Sequence, residues 1–211
     1  MKKLSTLFAM LFLCASCASQ EREVVRRSTI KLEGKNTNIR NLLDIDGYYA
    51  RAGDDRLPSD NIIFFEDGTY IWQFSFKKGA TADSIRENIS ESIDAWIRDR
   101  QISWGYAWGV YRIEGDMIIG NTFVKTSFLS DWSFNEERYK IVNRTSVRKI
   151  SWKILLYDDE PAKTLDWPYV FVSAKPLPSS DNWLKEKRWI WRNESDWKAY
   201  MERIRQNTPA R

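Results

Sequence analysis

Four groups of residues have types that can move protons, carry an acyl chain or stack on a ligand. They are the carboxylates Glu136-Glu137 and Asp158-Asp159-Glu160, the motif Ser195-Asp196-Trp197-Lys198, the cysteines Cys14 and Cys17, and the aromatic row Trp104, Tyr106 and Trp108. The acids are not read as catalytic or calcium-binding. A hydrolytic pair needs carboxyl groups about 5–10 Å apart across a cleft, whereas neighbours on a strand point to opposite faces and a loop triplet is hydrated. Ser195-Asp196-Trp197-Lys198 matches Ser-X-X-Lys and Ser180-Asp181-Asn182 matches its usual companion, but their order is reversed, so both are read as coincidence. Histidine is absent, which removes Ser-His-Asp and Cys-His catalysis, His-ligated metals and the usual near-neutral base. Any catalysis would rest on Asp, Glu, Lys, Ser or Tyr, and any metal would be a hard ion held by oxygens. The expectation is a protein that is not an enzyme, with no cofactor and no metal assigned.

The aromatic groups are more informative. From Trp104 to Tyr111, one strand face carries Trp104, Tyr106 and Trp108 and the other Gly105, Ala107 and Gly109. Such a row is either core packed under a helix or a stacking wall for a sugar or lipid, with the small residues admitting a close neighbour. Tyr49, Trp72, Tyr106, Trp108 and Tyr111 are the candidate ligand-binding residues. After the last strand, Trp183, Trp189, Trp191 and Trp197 alternate with Lys185, Lys187 and Arg188. That segment is expected to close a barrel end with cations stacked on rings, a contact with lipid headgroups being the alternative.

The elements that must position these groups are mostly strands. Asp46 to Ala52, Ile62 to Glu66, Thr69 to Phe76, Trp104 to Glu114, Met117 to Thr126, Glu136 to Asn143, Val147 to Tyr157 and Tyr169 to Ala174 show alternation or β-branched and aromatic enrichment. Asp67-Gly68 and Gly115-Asp116 supply tight turns. In the third strand Tyr70 and Trp72 share a face; in the seventh, Ile150, Trp152 and Ile154 are placed opposite Lys149, Ser151 and Lys153. Eight sequential strands joined largely by short turns predict an antiparallel up-and-down barrel or strongly curled sheet. An inserted amphipathic helix over Thr81 to Arg100 carries Ile85, Ile89, Ile93, Trp96 and Ile97 on one stripe, and a second helix follows Asn193-Glu194-Ser195.

The N-terminus reads as an address. Met1-Lys2-Lys3, a short apolar run from Leu7 to Leu13 and small residues before Cys17 form an export signal too short to span a bilayer. Ala15-Ser16-Cys17 resembles the lipobox of bacterial lipoproteins, which implies cleavage after residue 16, acylation of Cys17 and attachment to a membrane, with no free thiol left. Removing Lys2 and Lys3 lowers the formal charge from +4 to +2, too small an excess to favour nucleic acid. Residues 17–41 are polar and weakly patterned, and are read as a flexible tether to a domain spanning 42–211.

Gly47-Tyr48-Tyr49, Phe64-Phe65-Glu66-Asp67-Gly68-Thr69-Tyr70 and Trp108-Gly109-Val110-Tyr111 resemble the lipocalin-like domains of lipoproteins from Bacteroidota. Tyr49 stands where lipocalins usually carry tryptophan. The resemblance implies a calyx with its ligand among inward side chains, in a protein of the cell envelope, on the outer membrane. Asp83-Ser84-Ile85 is similar to the O-glycosylation acceptor of those bacteria, making Ser84 a candidate site; helix capping is the alternative. The expected function is non-catalytic binding of a small apolar or amphipathic ligand. A glycan-active enzyme and a structural lipoprotein that docks a partner protein are the alternatives.

Overall fold

The computed structural model describes residues 21–52, 61–72, 83, 84, 87, 91, 107–125, 132–156, 160–174, 177 and 179–207. Eight strands close into one antiparallel barrel in sequence order: β1 Gly47–Arg51, β2 Asn61–Phe64, β3 Thr69–Trp72, β4 Ala107–Glu114, β5 Met117–Lys125, β6 Trp132–Asn143, β7 Ser146–Ile154 and β8 Lys163–Ser173. Closure is made by β1 on β8, with Tyr49 opposite Phe171 and Arg51 opposite Tyr169. A closed cylinder removes the sheet edges that an open meander would expose. Helix α1 covers 21–27 and α2 covers Glu194–Asn207.

Alternation splits the apolar residues into two cores. Ile62, Phe64, Tyr70 and Tyr111 turn into the barrel, while Ile63, Phe65, Ile71, Trp108 and Val110 turn outward. Inside, Tyr49, Phe64, Tyr70, Tyr139 and Tyr169 are at most 1% exposed. Phe64 is the hub, making edge-on contacts with Tyr49, Tyr111 and Tyr139 at centroid distances of 5.9, 5.6 and 5.9 Å. The small-residue face of β4 is explained here: a side-chain carbon on Gly109 would lie 2.3 Å from the Tyr70 ring, so glycine makes room for that ring. A short 3-10 turn at Ile39–Asn41, with Leu43 and Ile45, plugs the barrel end that also carries the turns at 67–68, 115–116 and 144–145. We call this end the base and the opposite end the mouth.

The outer core is a second layer on one flank. Trp183, Leu184, Ile190, Trp191, Tyr200 and Ile204 from the C-terminal segment cover Phe65, Trp108, Phe123 and Phe134. The tryptophan-rich segment expected to close a barrel end therefore covers the wall instead. Lys185, only 4% exposed, fastens this cap to the β2–β3 turn by donating to Asp67 and, at 2.9 Å, to Ser180. Arg203 adds a two-point clasp on Asp181 at 2.9 and 2.5 Å.

The N-terminal expectation needs correction. Residues 21–41, read as part of a flexible tether, are a strap folded onto the barrel. Val24, Ile30, Leu32 and Ile39 are at most 2% exposed. Leu32 pairs with the cap, its amide donating to Ile190 at 2.7 Å and its carbonyl accepting from Arg192 at 2.8 Å. The tether reading failed because the strap's apolar residues are too sparse to show a period; each is buried by tertiary contacts, not by a repeating pattern. Of the expected inserted helix, residues 83, 84, 87 and 91 are helical, and the remainder of that span lies outside the described residues.

Candidate functional site

The interior changes character from base to mouth. The base half is solid aromatic packing, and at mid-height it gives way to a charged pair with no solvent exposure, Glu137 on β6 and Lys149 on β7, 2.8 Å apart. The second oxygen of Glu137 accepts from the hydroxyls of Tyr139 at 2.7 Å, Thr122 at 2.9 Å and Tyr70 at 3.1 Å. Burial, and then the adjacent Glu137 charge, push the Tyr70 and Tyr139 phenols well above their usual range, so both stay protonated donors. The Lys149 ammonium and these hydroxyls surround the carboxylate, with Tyr70 and Thr122 also 2.5 Å from each other, so Glu137 holds the network together.

Lys149 also faces rings. Its ammonium lies 4.0 Å from the Trp72 centroid and 5.7 Å from those of Tyr139 and Trp167. Toward the mouth, the Arg51 guanidinium stacks 3.8 Å from Trp167 and the Lys163 ammonium 4.9 Å from Trp152. Trp72, Trp152 and Trp167 are half-buried, and the indole N–H groups of Trp72 and Trp152 are shielded from water without an acceptor among the described residues. The mouth thus combines aromatic walls with cations stacked on them, a polar-on-apolar arrangement common in small-molecule sites.

Three of the sequence-selected residues lie apart from this ring. Tyr49 sits at the base, its hydroxyl 2.9 Å from the carbonyls of both Asp44 and Arg144. Tyr111 is also buried there, donating to Phe65 at 2.6 Å and bonded to Thr37 at 2.8 Å. Trp108 is on the outer wall, stacked on Phe65 at 5.9 Å beneath the cap. Trp72 alone of the described candidates belongs to the mouth. Tyr106 and Cys17 lie outside the described residues, and Ser84 is helical and partly buried.

The sequence reading did not select Arg51, Lys149, Trp152 or Trp167 as site residues, and it set Glu137 aside with its neighbour Glu136, whereas the structure buries Glu137 completely at the centre of the network. For Glu137 the signal was present, since it shares the face of Tyr139 and Ile141. For Lys149 it was misleading, because against β6 the strand β7 carries a bulge between Lys149 and Ser151. The extra residue lets Lys149, opposite Tyr139, and Trp152, opposite Glu137, both face inward although strict alternation separates them.

A concavity of about 340 Å3 lies outside the barrel between the strap and β4, lined in part by Lys31, Lys35, Arg112 and Arg192. Its cations are engaged: Lys35 and Arg192 on Glu33 at 2.7 and 3.0 Å, Arg112 on Glu114 at 2.6 Å, and Lys31 on the Trp189 carbonyl at 2.8 Å. Among the described residues, no cluster of acids and cysteines has the makeup to hold a metal ion. No family model, no curated protein and no solved structure matches this chain.

Proposed function

We propose that the protein is a lipid-anchored module of the cell envelope, held on the outer membrane through Cys17, that binds a small apolar or amphipathic molecule without chemical change. The observation that carries this reading is the mouth ring of Trp72, Trp152 and Trp167 with Arg51 and Lys163 stacked on it. The calyx implied by the lipocalin-like resemblance is shortened by the aromatic base, so the ligand engages the upper ring and does not run the length of the barrel. Apolar burial at ~25 cal/mol per Å2 supplies affinity, and the Arg51 and Lys163 cations favour a ligand that carries an anionic group such as a carboxylate or phosphate.

Titration of the protein with lauric acid, a lysophospholipid and neutral oligosaccharides, followed by tryptophan emission, tests this. A saturable response to the amphiphiles is expected, weakened about tenfold, or ~1.4 kcal/mol, by Trp152→Ala. A flat response to every compound sinks the proposal.

A further inference from the structure

The strap has a consequence for how the molecule sits on its membrane. Were residues 17–41 a coil, the barrel would roam on the order of 25–30 Å from the bilayer, by scaling of ~5–6 Å × √n. Instead Glu21 already belongs to the folded body. Three residues, Ala18, Ser19 and Gln20, lie between Glu21 and Cys17 in the chain, and the four residue steps from 17 to 21 reach at most about 14 Å when fully extended.

The position of Glu21 on the body is defined. Glu21 lies 3.5 Å from Lys187 of the cap, and the other end of α1 is fixed by Arg27 donating to the Leu155 carbonyl at 2.7 Å. Val24 is buried between these points at 1% exposure, so α1 is packed in place along its length. The surface around it carries Arg22, Arg26, Arg27, Lys187 and Arg188 against Glu21, Glu23 and Glu186. Arg22 and Arg26 are exposed, Arg26 and Arg27 both pairing with the single carboxylate of Glu23, and the basic excess that remains beside an acyl anchor is drawn to anionic headgroups.

We propose that the flank formed by α1 and the Lys187–Arg188 turn rests directly on an anionic bilayer surface, so that the protein is held in one orientation with its β8–β1 wall facing away. The inference rests on acylation of Cys17, as in the proposed function. On that far wall Val170 and Val172 are 48% and 37% exposed, uncovered by the cap.

Site-specific fluorescence tests it. The only cysteines are at 14 and 17, one removed with the signal and the other acylated, so an introduced thiol is unique in the mature chain. Arg26→Cys and Val170→Cys variants of the full acylated protein, labelled and reconstituted in vesicles of phosphatidylethanolamine and phosphatidylglycerol, are exposed to a headgroup-bound quencher. Quenching several-fold stronger at position 26 than at 170 is expected, and the contrast should vanish when a long Gly-Ser linker is inserted between Gln20 and Glu21. Equal quenching in vesicle-bound protein overturns the orientation while leaving anchoring intact. Recovery of the chain in the soluble fraction with an unmodified Cys17 overturns both.

Discussion

Replacing Glu137 by glutamine probes the interior most sharply. The carboxylate and the Lys149 ammonium are both at 0% exposure and 2.8 Å apart, so the variant keeps the volume but leaves a cation in the barrel without its counter-charge. Removing one partner of a buried pair costs about 3–5 kcal/mol. The Trp72 face, 4.0 Å from the ammonium, remains and offsets part of that, while Tyr70, Thr122 and Tyr139 must turn to meet an amide that both donates and accepts. A net loss of about 3 kcal/mol is expected, a large share of the ~5–15 kcal/mol that holds a domain together. In urea, with a slope of about 2 kcal/mol/M, the unfolding midpoint followed by tryptophan emission falls by roughly 1.5 M. The double variant Glu137→Gln, Lys149→Met removes both charges and should recover at least half of the loss, because a neutral interior carries no desolvated ion. Should Glu137→Gln fail to fold at all, a double variant that does fold shows the same rescue. A single-variant cost below about 1 kcal/mol, or a double variant no more stable than the single, refutes the account of the pair as coupled buried charges.

Two further outcomes follow from the outer layer. Leu32→Ala should cost about 2–5 kcal/mol in the same assay, since Leu32 is 2% exposed against the cap, whereas truncation in a solvated tether costs nothing measurable. Burial alone would raise the Asp67 and Asp181 carboxyls, but Lys185 at the first and chiefly Arg203 at the second outweigh it and hold both below the usual range. A depressed carboxyl stabilises fully above its unfolded value of about 3.9 and loses that contribution as pH falls through the lower folded value. The cap, read by amide exchange over Trp183 to Ile204, should therefore loosen below about pH 4, and Asp67→Asn should loosen it at neutral pH as well.

The strand order was legible in the residues alone because period-two alternation and the Asp67-Gly68 and Gly115-Asp116 turns are local signals, and a run of sequential hairpins has few closed solutions. The C-terminal helix was legible for the same reason, from its cap and apolar stripe. What only the assembled molecule decided is where each face went. Trp108 and Trp72 look alike in the chain, yet register sends one beneath the cap and the other into the mouth. Lys149 and Trp152 share the interior only through a bulge that no local signal announces. The strap's Val24, Ile30 and Leu32 are too scattered to display a period, and the energy that orders them comes from residues some 150 positions away in the cap.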